Sequence, residues 1–94
     1  MMLRWTERAA EHLEMLHAYV AEQNADAADG LLDRVMDAAE NLGNFPLLGR
    51  KGRVAGTREL IVSGTHIIVA YRVHANVVQV LAVLHTSRTW PASF

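Results

Sequence analysis

At Pro46 the apolar residues of this chain change their spacing. Before it, Ala9, Leu13, Leu16 and Val20, and then Ala28, Leu31, Leu32, Val35, Ala39 and Leu42, recur at the period that lines one face of a helix. After it come three runs rich in β-branched residues, 57–63, 66–73 and 77–85. A single switch from a period near 3.6 to a period of 2 segregates helices from strands along the chain. The expected class is α+β: an N-terminal short strand and an antiparallel helical hairpin, packed on one face of an antiparallel β-sheet.

The punctuation agrees. Residues 3–5 read as a short strand, with Thr6 placed to cap the first helix and Glu7, Glu11 and Glu14 in its early turns. Asn24 marks the stop; Asp26 reads as the start of the second helix, with Asp29 three places on. Gly43-Asn44 closes that helix and Pro46 forbids its extension. So short a link makes the two helices an antiparallel hairpin. The strand links, Gly64-Thr65 and His74-Ala75-Asn76, are equally short and make the strands antiparallel neighbours. In the last run Val78, Val80, Ala82 and Leu84 alternate with Val77, Gln79, Leu81 and Val83. Both faces are largely apolar, so this strand is expected to be central, with its second face partly covered or used for binding. The expected core contains Leu13, Leu16, Leu31, Val35, Leu42, Ile61, Val69, Tyr71, Val80 and Ala82.

Residues 1–94 read as one domain. The chain has no cysteine, which removes disulfides and thiolate metal sites. The start turns charged at Arg4, without the apolar run of a signal peptide, and the longest apolar run, 67–71, is too short to cross a bilayer. A soluble cytoplasmic protein is expected. The net charge of −1 conceals a division: residues 1–46 carry −6 and residues 47–94 carry +5. Arg50, Lys51, Arg53 and Arg58 crowd one glycine-rich stretch, and Glu59 is the only acid of the second half. Such a split suits an acidic or polyanionic partner. The plainer reading is a connection kept soluble by charge.

Phosphate-loop and dinucleotide fingerprints are absent. His12 and His17 are five apart and point to different helix faces, so a helical metal pair fails. No Ser-His-acid arrangement can be argued, and no metal or cofactor is implied. His85 at a strand end reads either as a packed, hydrogen-bonded ring or as a proton shuttle. Trp90 reads either as a cap on a small core or as a contact residue.

"FPLLGRKGRVAGTRELIVSGTHIIVAYRV" followed by "VVQVLAVLHTSRTWP" resembles the RelE/ParE superfamily of type II toxins. No single piece is specific; the ordered set is. It runs FP-x-x-G-R, G-x-R-E, S-G at a turn, Y-R-V, and V-L-x-V-L-H, and the likeness spans essentially the whole chain. The resemblance implies a strand, a helical hairpin and a three-stranded meander. It also implies a toxin held inactive in the bacterial cytoplasm by a cognate antitoxin whose C-terminal segment is disordered when alone, in a toxin–antitoxin hetero-oligomer with no membrane partner.

The superfamily divides by target. RelE-like members cut mRNA on the ribosome and resemble one another in needing cations at set places on the sheet. Arg58 matches one such place. Where an arginine would open the next strand, this chain has His66-Ile67-Ile68, and at the last place it has His85 and Arg88. Cleavage by a 2′-hydroxyl needs a base, an acid and cations around the phosphate, and Ile67 and Ile68 supply none of these. The segment SGTHIIVAYRV resembles the ParE-like branch, which poisons DNA gyrase. On that reading the contacts to target or antitoxin fall to Arg50, Lys51, Arg53, Arg58, Arg72, Arg88 and Trp90. The alternative is a ribosome-dependent mRNA endonuclease using Arg58, His85 and Arg88. A third reading is an inactive member that serves only as an antitoxin-bound repressor partner.

Overall fold

The computed structural model describes residues 1–86. In chain order the elements are β1 (Met2–Trp5), α1 (Glu7–Ala21), α2 (Ala25–Asn44), β2 (Arg50–Lys51), β3 (Arg58–Ile61), β4 (Ile67–His74) and β5 (Val77–His85). The sheet order is β1-β5-β4-β3-β2.

Thr6 begins α1 by accepting the Ala9 N–H on its hydroxyl at 3.2 Å, while the same hydroxyl donates to the Val80 carbonyl at 2.9 Å. The cap therefore also ties the helix start to β5. Asn24 does more than stop α1: its side-chain oxygen accepts the Ala27 N–H at 3.0 Å, which makes it the cap of α2. The second helix accordingly starts at Ala25, one residue ahead of Asp26.

The meander β3–β4–β5 is antiparallel, as its short links require. Ala75 and Asn76 close β4 onto β5 with φ of 50° and 62°, the left-handed pair of a type I′ turn. β3 is shorter than the run 57–63, because the chain already turns through Gly64 at φ 76°. Two features lie outside the antiparallel meander expected. β1 pairs with β5 in parallel, Leu3 opposite Val78, so the whole sheet is mixed. Arg50-Lys51 adds a two-residue strand on β3, turning the basic stretch into a hairpin.

The main core lies between the helices and one sheet face. Val35, Ala39 and Leu42 of α2 and Ala9 of α1 meet Val62, Val69, Tyr71, Val78 and Val80, all buried. Leu13, Leu16 and Leu31 pack against this cluster but are only half-buried. Ile61 leaves the expected core. It is 49% exposed, because strand alternation turns Leu60 and Val62 toward the helices and Ile61 away.

The alternation in β5 is broken by a bulge. Tyr71 pairs with Val80 and Ala70 with Ala82, which leaves Leu81 as the extra residue. Val80 and Val83 therefore both belong to the helix-side core, while Ala82 is buried on the other face beside Ala70 and Ile68. The irregular stretch of β5 is held by the helix start. Thr6 N donates to Val80 O at 3.1 Å, and Val83 N donates to His12 Nδ1 at 3.2 Å.

Candidate functional site

The basic hairpin is organised around two buried groups. The first is Tyr71. Its hydroxyl donates to Pro46 O and accepts from Gly49 N, each at 2.8 Å. Gly49 is needed there, since a Cβ would sit 2.7 Å from the tyrosine ring and 2.9 Å from the Glu59 carbonyl. Burial raises the Tyr71 phenol pKa above its ordinary value, against smaller lowering effects of the Gly49 N–H and the nearby Arg58. Arg58 closes the arrangement by donating from Nη1 to Gly49 O at 2.7 Å.

The second group is Glu59, whose side chain is 1% exposed. Its Oε2 accepts the Arg53 backbone N–H at 2.7 Å. Its Oε1 accepts from Arg50 Nη2 at 3.3 Å and lies 3.7 Å from Arg53 Nε. The acid that stands alone in the sequence is thus sunk between two of the arginines. The hairpin is less open a cationic rim than its composition implies: Arg50 and Arg53 balance Glu59, Arg58 stitches backbone, and Lys51 is exposed.

Arg72 is exposed on β4, and its Nε donates to Gln79 Oε1 across the β4–β5 pair at 2.7 Å. It borders an open hollow of about 420 Å³. The walls are Thr6 and Arg8 at the start of α1, the hairpin tip 54–57, and Arg72, Gln79 and Leu81 of the sheet. A larger groove, about 860 Å³, runs between α2 and β3, with Leu48, Leu60 and Ile61 among its apolar lining and Arg34, Asp37 and Glu40 on its helical side. Phe45, Leu47 and Leu48 are exposed at the same end of the molecule as the α2 terminus.

The residues of the nuclease alternative are not gathered among the described residues. Arg58 lies opposite Tyr71 and His85 opposite Ile67, on strands separated by β4. Four residues along the strands and two strand spacings across put their Cα atoms roughly 16 Å apart. His85 instead lies beside His66, with ring centroids 5.8 Å apart. Arg88 and Trp90 lie outside the described residues.

The family model for the ParE toxin of the type II toxin–antitoxin system parDE matches residues 3–90. The chain belongs to the ParE toxin family. A Sinorhizobium fredii relative, Y4kP, which bears a provisional toxin designation, is 36% identical over 89 residues, covering 95% of this chain and 92% of that protein. A solved structure titled as a chromosomal ParDE TA system from P. aeruginosa superposes with a TM-score of 0.80 over 90% of this chain and 95% of that one. At 24% identity that likeness speaks for the fold. The chain is therefore a type II toxin of the ParE family, and its helical hairpin on a mixed sheet is the fold it shares with that solved structure. Among the described residues of this ParE-family chain, no helix is long and apolar enough to cross a membrane.

Sequence reasoning missed Arg8 and Gln79 as site residues in this ParE-family protein. Arg8 lies in a helix otherwise read for its acids, and the pairing of β1 with β5, with Thr6 bonded to Val80, brings the start of that helix beside the hollow. No local pattern signals that pairing.

Proposed function

We propose that this ParE-family toxin arrests bacterial growth by inhibiting DNA gyrase in the cytoplasm, and that a cognate antitoxin neutralises it in a hetero-oligomeric complex. The observation that carries the gyrase reading is the separation of Arg58 from His85, the two nuclease candidates among the described residues. Arg58 is committed to the Gly49 carbonyl, and His85 stands roughly 16 Å away. Where the mRNA cutters resemble one another in having an arginine, this chain has His66-Ile67-Ile68, and Ile67 and Ile68 are buried apolar residues. General acid–base catalysis needs its groups within hydrogen-bond reach of one reacting phosphate. An inhibitor that works by surface shape and charge does not.

The antitoxin reading draws on the open groove between α2 and β3. β2 pairs with β3 only at Arg58 and Glu59, so the outer edge of β3 at Leu60 and Ile61 faces no other strand among the described residues. An antitoxin segment that is disordered when alone gains most from such a surface, where apolar anchors find a groove as the segment orders. The similar solved structure, described as a ParDE TA system, agrees with a two-component assembly.

The test is a gyrase supercoiling assay run beside a ribosome-programmed mRNA cleavage assay, with protein freed of antitoxin. Inhibited supercoiling with intact mRNA is expected. Ribosome-dependent cleavage with unaffected supercoiling would establish the nuclease instead.

A further inference from the structure

We propose that the hollow between the start of α1, the hairpin tip and the β4–β5 pair is an oxyanion site that receives an aspartate or glutamate side chain of a protein partner. Arg8 and Arg72 are the only charged side chains lining it among the described residues, and no carboxylate does. Their situation differs from that of the hairpin arginines. Arg50 and Arg53 are engaged by buried Glu59. Neither Arg8 nor Arg72 has an ion pair among the described residues, and both are exposed. Arg72 is also oriented. Its Nε is held by Gln79 Oε1 at 2.7 Å, which leaves the two Nη groups to present a fork.

The rest of the wall suits an acidic side chain attached to a peptide. The β5 bulge gives Leu81 a place beside Val54 and Ala55, an apolar bed for the methylenes that carry a carboxylate. The Thr6 hydroxyl is already engaged by Val80 O and Ala9 N, so it adds no competing demand. A phosphodiester would satisfy the same forks, but a nucleic acid repeats its charge every few ångströms. Its next phosphates would approach Glu7 and Glu11, which flank Arg8 on α1 and are exposed. A single carboxylate between apolar neighbours avoids that repulsion. The proposal rests on the antitoxin reading above only for the source of the carboxylate.

The test has two arms. In the first, the isotope-labelled full chain is titrated with acetyl-Leu-Glu-Leu-amide, with its Leu-Gln-Leu counterpart, and with a short DNA duplex, while the arginine Nε–Hε resonances are followed by NMR. The Glu peptide should shift Arg8 and Arg72 together, and the Gln peptide should not. Arg72→Gln should abolish the response at Arg8. No shift with the Glu peptide overturns the proposal, and so does a response to DNA at lower concentration than to the peptide, which would mark a nucleic-acid site. In the second arm, Arg8→Gln and Arg72→Gln are each expected to weaken binding of the cognate antitoxin about ten- to a hundred-fold, the range for a hydrogen-bonded charge. Raising the salt should narrow the difference from wild type. Antitoxin binding unchanged in both variants overturns the proposal. If the wild type binds no antitoxin at all, the antitoxin reading fails, and the peptide arm still decides the hollow.

Discussion

Replacing Tyr71 by Phe removes one oxygen and leaves the ring in place. That oxygen has two partners, the Gly49 N–H and the Pro46 carbonyl, each at 2.8 Å. Gly49 is buried, so its N–H has no route to water once the phenol is gone, whereas Pro46 is half-buried and its carbonyl can be rehydrated. A buried donor left unmade costs about 1–3 kcal/mol, and the lost bond to Pro46 adds about 0.5–1.5 kcal/mol. The expected loss is therefore about 1.5–4.5 kcal/mol, a large part of the 5–15 kcal/mol typical of a domain. In urea the midpoint should fall with the slope unchanged, and the melting temperature should fall by roughly 6–36 °C.

The same residue makes an alkaline prediction. Burial raises the Tyr71 phenol pKa above its ordinary 10.0, so the folded state favours the neutral form. Its contribution is fully present below pH 10.0 and is lost as pH rises from there through the raised folded pKa. The phenylalanine variant lacks this contribution. The stability gap between wild type and variant, measured by urea unfolding, should be constant at neutral pH and narrow on the alkaline side. A gap under about 0.5 kcal/mol at neutral pH, the range of an ordinary surface change, would refute the reasoning.

Other outcomes follow from the same contacts. Gly49→Ala would place a methyl 2.7 Å from the Tyr71 ring and should destabilise by about 1–3 kcal/mol, read from the urea midpoint. Thr6→Ala removes a helix cap and a bond to Val80 O, and should lower stability by about 1–3 kcal/mol while accelerating amide exchange in the first turn of α1. Ile61→Asp, at a 49% exposed position beside the α2–β3 groove, should leave stability within about 0.5 kcal/mol yet weaken antitoxin binding at least about tenfold, measured by calorimetry. His85→Ala should remain toxic and gyrase-directed in a growth assay if it folds; loss of toxicity in a normally folded variant would favour the nuclease reading.

Much of the fold was legible because it is local. The apolar period changes at Pro46, Thr6 and Asn24 are cap residues, and Gly64 and Ala75-Asn76 close strands too near in sequence to pair otherwise. Those features determine two helices followed by an antiparallel meander, whatever else the chain does. The family was legible for a related reason: its signature residues cluster in the hairpin and the strands, where turn geometry and close packing restrict what fits. Gly49 against Tyr71 is one such place.

What tertiary structure alone decided is the parallel pairing of β1 with β5, the bulge at Leu81, and which cations remain available. β1 and β5 are separated by nearly the whole chain, so no turn sets their direction; the packing of the helical hairpin does. The bulge shifts Val83 toward the helices and Ala82 away, against a strict alternation that reads equally well in either register. The composition of residues 45–60 counts four cations and one acid, but not that Glu59 points inward between Arg50 and Arg53. Charge can be read from a sequence, whereas neutralisation depends on distance and burial. That is why the arginines crowded together in the sequence are largely occupied with one another's surroundings, while Arg8 and Arg72, far apart along the chain, border the same hollow with their charges unpaired among the described residues.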